Sequence, residues 1–392
     1  MTKLKRKEVN EMNENSLKQK KPNALSRFLW KDKKRRAKNF YFILMFFIVI
    51  VSVAMGYLNS KLDLIDYEQE YTAPDFADYS DTVVYDEEEV EIMSSINEAG
   101  NLNDFLYQWA NNGGELYSSK NVINVLLVGL DSEDALEKGG RSDTLILISL
   151  NKKTQKINMT SFFRDTWCYM NVGGADRYAK INSSYMYGGS EGLIDTIERN
   201  FKIDIDYYVA VDFSSFTDII NALGGLTVEV QEYEANYINR TTVHEIEYGP
   251  AVTLDGYEAL VFARIRKSDS DSDVSRTRRQ RMVIEALINS AKNASLGQLN
   301  EVLNVLFKYV KTDFTQMQIM SYAAQALANG WINYEIEQLS LSDEDVFTTG
   351  YAGSSSVVFM DFPLAAQRVQ TAIYGDTNII LDEDRVLPFS LR

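Results

Sequence analysis

The stretch VINVLLVGL, Val122–Leu130, is almost entirely apolar and ends directly before Asp131. A short apolar run of this kind is typical of a strand that is buried on both faces of a sheet. Two similar runs follow, TLILISL at 144–150 and INMTSFF at 157–163, and the turn-forming sequence NKKT separates them. The pattern predicts three consecutive strands of one central sheet.

Helices and further strands alternate along the rest of the chain. The pattern predicts helices at 92–112, 191–201, 213–223, 255–263, 274–291, 298–310, 315–328 and 363–374. It predicts further strands at 207–211, 227–230, 336–341 and 357–359. Because strands and helices alternate, we expect a layered α/β domain around the sheet.

The composition excludes several kinds of site. The chain of 392 residues has one Cys and one His. An intramolecular disulfide, a Cys-cluster zinc site and a two-histidine mechanism are therefore excluded. The glycine-rich fingerprints of dinucleotide-binding and P-loop proteins do not occur in the sequence. Cys168 follows an apolar-aromatic stretch, and we expect a buried, unreactive thiol there.

Charge is distributed unevenly along the chain. Residues 1–38 carry 14 Lys and Arg against 4 Asp and Glu, a net charge of +10. The rest of the chain carries −26, which gives the total of −16. Because residues 39–392 are strongly acidic, they should repel the phosphate backbone of DNA or RNA. The charge therefore argues against nucleic acid as a partner.

An uncharged apolar segment, FYFILMFFIVIVSVAMGYL at 40–58, follows the basic head. About 20 apolar residues suffice for a helix to span a bilayer. The positive-inside rule places the basic head in the cytoplasm and the residues beyond 60 outside. A signal peptide cleaved after Ala54 is the alternative, but the apolar run continues past that residue, which favours an uncleaved anchor.

This topology divides the chain into four parts. We predict a basic cytoplasmic tail at 1–39, a transmembrane helix at 40–58, an acidic extracellular stalk at 59–119 and an extracellular globular domain at 120–392. The stalk is rich in Asp, Glu and Tyr, a composition that favours an extended, solvated segment. The protein is therefore expected in the cell membrane, which it crosses once.

Two carboxylates stand at the ends of neighbouring predicted strands. Asp131 follows the first strand, and Asp143 opens the second within the sequence GRSDT at 140–144. Paired carboxylate oxygens suit Mg²⁺ that is bound together with a phosphate substrate. Asp is also common at strand ends and in turns, so the spacing leaves a purely structural role open.

Cations are concentrated at two further places. Arg164 and Asp165 end the third predicted strand, and seven Lys and Arg lie between residues 264 and 281. Guanidinium groups beside a helix N-terminus are well suited to bind pyrophosphate. The alternatives are a surface ion pair at Arg164 and a solvated helix face that pairs with the acidic loop 269–273.

Two motif matches fail. DSDSD at 269–273 resembles the start of an EF-hand, but Val274 stands where Gly is required and Gln280 where Glu is required. GGSEG at 188–192 matches the nucleophile motif of α/β-hydrolases, with Ser190 preceding His244. The segment before Ser190 is a poor strand, and the 53 residues between Ser190 and His244 are too few for that fold.

Seven sequence blocks between 122 and 292 together resemble the LytR-CpsA-Psr (LCP) family of membrane-anchored cell-wall enzymes. In chain order they are NVLLVGLDS, GRSDTLILISLN, SFFRDTW, KINSSYMYGG, DYYVAVDFSSFTDIINALGG, LDGYEALVFARIRK and DSDVSRTRRQ. Phe163 departs from the family, which usually has Pro before Arg-Asp-Thr. The resemblance implies a single α/β/α catalytic domain with a central mixed sheet and a motif core at 122–292.

The resemblance also implies an activity and a set of site residues. Family members transfer a glycopolymer, such as teichoic acid or capsule, from a polyprenyl-pyrophosphate carrier to the 6-hydroxyl of N-acetylmuramic acid in peptidoglycan. The resemblance implies that Asp131 and Asp143 bind Mg²⁺, with Mn²⁺ as an alternative. It implies catalytic roles for Arg141, Arg164, Arg264, Arg266, Asp273 and Arg276. It implies substrate contacts for Arg164, Lys180, Asn182, Arg264, Arg266, Arg276, Arg279 and Gln280.

Several alternatives stay open. The same residues fit a hydrolase of the carrier lipid, or a non-enzymatic regulatory protein that holds polyprenyl phosphate. Asp273 either orients Arg276 or accepts the proton of the acceptor hydroxyl. The polyprenyl tail needs an apolar slot, although core packing is the more common role of apolar helix residues. The candidates for that slot are Ile219, Ile220, Leu223, Ile284 and Leu287.

Overall fold

A computed structural model describes residues 45, 66–67, 99–131, 140–265, 272–293, 310–343, 345–352, 355–382 and 387–389. The chain divides into two compact units, 1–60 and 61–392. The predicted tail lies outside the described residues, as does the predicted membrane segment 40–58 apart from Met45. Within the described parts of the chain, no helix is long and apolar enough to cross a membrane.

One seven-stranded sheet forms the centre of the second unit. All strands of the described residues, including those outside this sheet, are numbered in chain order as β1 (Asp66–Tyr67), β2 (Val122–Leu130), β3 (Ser142–Asn151), β4 (Lys156–Ser161), β5 (Trp167–Val172), β6 (Ala175–Lys180), β7 (Tyr207–Val211), β8 (Leu226–Val230), β9 (Gly249–Leu254), β10 (Lys311–Thr312), β11 (Glu335–Ser340), β12 (Phe347–Ala352) and β13 (Ser355–Met360). The order in the sheet is β1-β10-β7-β2-β3-β4-β11, and the pairs β5-β6, β8-β9 and β12-β13 form separate hairpins. Because β2 lies antiparallel to β3 but parallel to β7, the sheet is mixed, as expected.

Helices cover both faces of this sheet. They are α1 (Ala99–Asn112), α2 (Ser183–Phe201), α3 (Phe213–Leu223), α4 (Glu232–Thr241), α5 (Gly256–Arg264), α6 (Ser272–Asn293), α7 (Gln316–Asn329) and α8 (Phe362–Tyr374), with a 3₁₀ turn at Trp331–Asn333. Strand side chains alternate between faces. Leu126 and Val128 of β2 pack in one apolar cluster with α1, α2 and α8. Leu127 and Gly129 face the other way, toward α3, α5 and α6, which yields the predicted three layers.

Several element bounds match the sequence pattern and others do not. β2, β7 and α3 have the predicted bounds. The pattern missed β5, β6, β9, β12 and α4. Helix α2 consists of two helical segments that meet at a kink at Gly189, whose φ of 59° and ψ of −153° are not helical. The predicted helix 191–201 corresponds to the second segment, and the first segment, which begins at Ser183, was not predicted. The predicted helix 298–310 lies outside the described residues except for Val310.

The folded unit begins earlier than the predicted boundary at residue 120. Helix α1, which falls within the predicted stalk, buries Leu106 and Ala110 in the main apolar cluster. The indole of Trp109 donates a hydrogen bond of 2.8 Å to the carbonyl of Asn200 in α2. Residues 99–112 are therefore part of the folded domain and do not belong to a solvated stalk.

Helices α3 and α5 meet without an intervening side chain. A Cβ on Gly256 would lie 2.2 Å from the carbonyl oxygen of Thr217, so only glycine fits this contact. The Gly256 N–H also donates to Oδ1 of Asn221 at 2.8 Å. Asp255 caps α5 by accepting a hydrogen bond of 2.8 Å from the Glu258 N–H. These contacts fix the path of α5 and hence the place where Arg264 leaves it.

Candidate functional site

A cavity of about 370 Å³ lies between the central sheet and helices α3, α5 and α6. Leu127, Ile146 and Val209 line it from the sheet. Four of the five apolar helix residues considered for a lipid slot also line it, namely Ile219, Leu223, Ile284 and Leu287. The fifth, Ile220, is fully buried in a second apolar cluster, which also includes residues of α4, α5 and β8, so it is a core residue. The chain therefore contains a mostly apolar cavity that four of the five residues suggested by the sequence line.

Polar groups line the end of this cavity at which β2 and β7 finish and β3 begins. They are Asp143, Thr144, Asp212, Arg264, Arg276 and Gln280. The Gln280 amide donates a hydrogen bond of 2.8 Å to Oγ1 of Thr144, which ties α6 to β3 at this end. Arg264 and Arg276 thus line the polar end of a cavity whose other lining residues are mostly apolar, an arrangement that suits a ligand with an anionic head and an apolar tail.

The two described arginines of the cavity differ in environment. Arg264 is the last residue of α5 and is exposed, and its guanidinium carbon lies 4.3 Å from the ring centroid of Phe213. Such a cation–π contact restrains the side chain. Arg276 lies in the first turns of α6 and is only 2 % exposed. One cation therefore faces solvent at the cavity, and the other is held inside the protein.

Backbone hydrogen bonds join the two predicted metal-binding strand ends. The Asp131 carboxylate accepts a hydrogen bond of 3.1 Å from the Arg141 N–H, and the Asp131 N–H donates to the Arg141 carbonyl at 3.2 Å. The Asn182 carbonyl accepts from the Ser142 N–H at 3.3 Å. Asp131 and Asp143 therefore lie at the same end of adjacent strands, and the backbone of Asn182 contributes to this end.

A part-buried network of charges surrounds Arg164. Its guanidinium forms an ion pair with Asp143 and lies 3.4 Å from the carboxylate of Asp165, which also pairs with Lys180 at 3.0 Å. The side chains of Arg164 and Asp165 are only 16 % and 15 % exposed, so this is not the solvated surface pair that the sequence allowed. The network brings three of the predicted site residues, Asp143, Arg164 and Lys180, together.

The pKa of Asp165 reports the positive field of this network. Burial raises the pKa of this carboxyl, but the charges of Arg164 and Lys180 and the hydrogen bond from Lys180 outweigh burial. Arg276 adds a smaller contribution of the same sign. The net result is a pKa below the usual value of Asp, as expected for a part-buried carboxylate among several cations.

Arg279 does not contact the cavity, although the resemblance implied a substrate contact. It is fully buried, and its guanidinium pairs with the fully buried carboxylate of Glu234 at 3.2 Å. It also donates a hydrogen bond of 2.6 Å to the carbonyl of Ile265. Helix α6 thus turns Arg276 toward the cavity and Arg279 toward α4, and a direct role of Arg279 in binding substrate is not supported by its contacts.

The side chains of two predicted site residues, Arg266 and Asp273, lie outside the described part of the chain. Arg266 and the acidic loop up to residue 271 lie outside the described residues. Asp273 belongs to the first turn of α6, and its side chain is not described. The roles predicted for Arg266 and Asp273 therefore stay predictions.

The residues of the rejected hydrolase motif do not have the surroundings of a catalytic serine and histidine. Ser190 is buried inside α2 rather than on a strand-to-helix turn. The Nδ1 atom of His244 lies 3.2 Å from Glu258 and 3.3 Å from Asp255, at the start of α5. Cys168 is fully buried, and burial raises the pKa of its thiol, which confirms the expected unreactive cysteine.

The sequence did not predict three residues at the polar end of the cavity, namely Thr144, Asp212 and Phe213. Phe213 supports Arg264, and Thr144 accepts the hydrogen bond of Gln280. Phe213 follows Asp212, which caps α3 by accepting from the Ser215 N–H at 3.0 Å. That capping pattern was available in the sequence, but the contact with Arg264 depends on how α3 and α5 pack.

Comparison with known proteins identifies the family. The sequence matches the LytR_cpsA_psr family over residues 83–362. The polyisoprenyl-teichoic acid–peptidoglycan teichoic acid transferase TagU of Bacillus licheniformis is 37% identical over 195 residues, which are 49% of this chain and 60% of that protein. TagU of Halalkalibacterium halodurans is 35% identical over 231 residues, 58% of this chain and 71% of that protein. The chain thus matches roughly two thirds of the length of these relatives.

Solved structures support the same assignment. The structure of TagT bound to LIIa-WTA has a TM-score of 0.52 and 25% identity, and the match covers 66% of this chain and 94% of that one. The crystal structure of protein gbs0355 from Streptococcus agalactiae has a TM-score of 0.54 and 25% identity, with 66% of this chain and 91% of that one covered. Because the family match spans well over half of its residues, this chain belongs to the LytR_cpsA_psr family.

Proposed function

We propose that this protein is a membrane-anchored phosphotransferase that moves a glycopolymer, such as teichoic acid, from a polyprenyl-pyrophosphate carrier to peptidoglycan. One observation carries the proposal: the apolar cavity between the sheet and α3, α5 and α6 ends at Arg264 and Arg276. A carrier lipid has the matching chemistry, a long apolar tail that ends in a charged pyrophosphate. The names of the teichoic acid transferases that resemble this chain agree with that substrate class.

The arginines are the groups that act on the pyrophosphate in this proposal. Guanidinium groups remain charged at any biological pH and bind two phosphate oxygens at once. Arg276, which is shielded from water, interacts with phosphate more strongly than an exposed cation does. Arg264, the last residue of α5, is exposed and adds charge from the solvent side. Arg266, two positions later in the sequence, is proposed as a further cation for the pyrophosphate. Arg164 and Lys180 extend the positive field along the sheet edge.

The reaction is a substitution at phosphorus. The 6-hydroxyl oxygen of an N-acetylmuramic acid attacks the phosphorus that carries the glycopolymer, and the bond from that phosphorus to the bridging oxygen breaks. Polyprenyl phosphate leaves with the electron pair of that bond, and the acceptor hydroxyl loses its proton. Charge accumulates on the leaving phosphate, and the arginines stabilise it there. Asp273 either receives the acceptor proton or orients Arg276.

The residues at the ends of β2 and β3 fit a magnesium ion. Asp131 and Asp143 provide carboxylate oxygens, the donors that Mg²⁺ prefers, at the same end of neighbouring strands. Bound Mg²⁺, or Mn²⁺ in its place, would act as a Lewis acid on the phosphate oxygens. The Arg141 backbone and Asn182 backbone hold this strand end in place. Gln280 fixes Thr144 beside the pyrophosphate position.

The proposed location is the outer face of the cell membrane. The apolar segment 40–58 follows a basic head, so we propose a single span with the catalytic domain outside. Proteolysis of intact cells or protoplasts tests this: external protease should degrade the domain and leave the first 39 residues protected. Protection of the domain would place it inside and exclude peptidoglycan as the acceptor.

Turnover tests the function. The full-length protein in detergent is incubated with a polyprenyl-pyrophosphate glycan and a peptidoglycan fragment, with and without Mg²⁺. Arg266→Ala and Asp143→Ala should abolish the coupled product. Arg368→Ala is a control, because Arg368 pairs with Asp343 and Asp345 outside the cavity and should leave turnover unchanged.

The products separate the transferase from the alternatives. A glycan joined to the fragment through a phosphodiester supports the transferase. Release of the free glycan phosphate, with the acceptor ignored, would indicate a hydrolase. Tight lipid binding without any product would indicate a regulatory lipid-binding protein.

A further inference from the structure

A completely buried ion pair lies behind the cavity wall. The side chains of Glu234 in α4 and Arg279 in α6 both have no solvent exposure, and their closest atoms are 3.2 Å apart. Moving two charges out of water costs several kcal/mol per ion, and apolar residues of similar volume are often equally stable. Stability alone is therefore a weak reason for this pair.

The hydrogen bonds of the pair divide its atoms between two tasks. Oε2 of Glu234 accepts from the Gln231 N–H at 2.9 Å and caps α4. Oε1 accepts from the Tyr233 hydroxyl at 3.0 Å and from Nη1 of Arg279 at 3.2 Å. The other terminal nitrogen of Arg279, Nη2, donates to the Ile265 carbonyl at 2.6 Å. The carboxylate thus holds one arm of the guanidinium fork, and the second arm reaches the backbone of a third element.

Ile265 occupies a critical position in the chain. It is the first residue after α5, with φ of −57° and ψ of 128°, so its carbonyl points away from the helical ladder. It lies between Arg264, which lines the cavity, and Arg266. Fixing the Ile265 carbonyl therefore restrains the backbone directly after the residue whose side chain lines the cavity.

We infer that Glu234 and Arg279 are positioning residues that fix the end of α5, from which Arg264 faces the pyrophosphate. This inference rests on the proposed function. Neither residue lies at the cavity, so the effect passes through the Ile265 backbone. A fixed guanidinium fork gives a defined direction to the hydrogen bond, which a flexible side chain would not. The pair thereby aligns α4, α5 and α6 around one carbonyl group.

Binding measurements separate positioning from stability. The ligands are geranylgeranyl pyrophosphate, which has tail and head, and geranylgeraniol, which has the tail alone. Arg279→Met should weaken binding of the pyrophosphate by about 10- to 100-fold, the effect typical of a supporting shell that loses its geometry. Binding of geranylgeraniol should change less than about twofold, because the apolar cavity is untouched.

A double variant guards against a folding defect. Arg279→Met alone leaves the buried Glu234 carboxylate with only the more distant and half-exposed Arg278, whose Nη2 lies 3.7 Å from Oε1, and this should destabilise the protein. Glu234→Met combined with Arg279→Met removes both charges, so the thermal unfolding midpoint should recover. The pyrophosphate affinity should stay low, because the Ile265 carbonyl has still lost its donor.

Arg281→Met is the matched control. Arg281 is also a buried arginine of α6, but it donates to Ser161 at 3.0 Å and to Gln338 at 3.0 Å, on the side of β4 and β11. Its loss should lower stability without selective loss of pyrophosphate binding. If the double variant binds the pyrophosphate as tightly as the parent, or if Arg281→Met has the same selective effect, the inference is overturned. If the parent itself does not prefer the pyrophosphate over the alcohol, the proposed function fails instead.

Discussion

Arg276→Met tests whether the buried arginine of the cavity serves binding rather than folding. Methionine has a similar length and no charge, and Arg276 is only 2 % exposed. A hydrogen bond to a charged group contributes about 1.5–3 kcal/mol, which corresponds to a loss of about 10- to 150-fold in affinity. We therefore expect the dissociation constant for geranylgeranyl pyrophosphate to rise by that factor.

The same substitution should have little effect on folding. Asp165, whose pKa Arg276 helps to lower, keeps two other cations, Arg164 at 3.4 Å and Lys180 at 3.0 Å. The Asp165 carboxylate thus keeps its ion pairs, and the apolar side chain of methionine is cheaper to desolvate than the guanidinium. We expect the free energy of unfolding in urea to change by less than about 1 kcal/mol.

Calorimetric titration and urea unfolding of the full chain in detergent measure both quantities. Arg368→Met, which removes a cation outside the cavity, controls for the loss of net charge and should leave the affinity unchanged. An Arg276→Met variant that unfolds several kcal/mol more easily but binds the lipid like the parent would refute the reasoning. Arg276 would then be a structural residue, and the cavity would not carry the proposed function.

Three further predictions concern other parts of the molecule. Leu287→Trp should block lipid binding because Leu287 lines the cavity, whereas Ile220→Val should cost only about 0.5–1.5 kcal/mol of stability in urea unfolding and leave binding intact. Burial raises the pKa of Glu198 to about 7, above the pKa of the same group in the unfolded chain. Between these two pKa values the folded state keeps a proton that the unfolded state has lost. The free energy of unfolding therefore falls as the pH rises from the lower pKa to the higher one. Glu198→Gln should therefore raise the thermal midpoint at pH 8 and not at pH 4; an equal shift at both pH values would contradict this. Asp273→Asn should remove the acidic limb of the pH–rate profile if Asp273 accepts the proton, and lower the rate evenly across pH if it orients Arg276.

The sequence pattern predicted the centre of the sheet better than its surroundings. β2 and β7 were predicted with their exact bounds because each is a continuous apolar run between polar residues. The hairpin β5–β6 was missed because its second strand, Ala175–Lys180, has neither a continuous apolar run nor a clear alternation. The glycine pair Gly173-Gly174 between the two strands is a turn signal that supports a hairpin in hindsight.

Residue types at the candidate site were predictable, but their directions were not. Arg276 and Arg279 stand three positions apart on α6, so helix periodicity places them on neighbouring parts of the surface. One lines the cavity and the other pairs with Glu234 behind it. That difference depends on how α4 packs beside α6, and α4 itself was absent from the predicted elements. Long-range packing of this kind leaves no periodic trace in the sequence.

The direct backbone contact at Gly256 has a mechanical consequence. Since no side chain separates α3 from α5 there, the two helices have no compressible layer between them and should move as one rigid plate. A lipid tail that enters the cavity then requires the opposite wall, α6, to yield. Helix α5 ends at Arg264, and the carbonyl of the next residue, Ile265, accepts a hydrogen bond from Arg279 of α6. A tail that displaces α6 would therefore also pull on the backbone next to Arg264, which couples the filling of the cavity to the position of that cation.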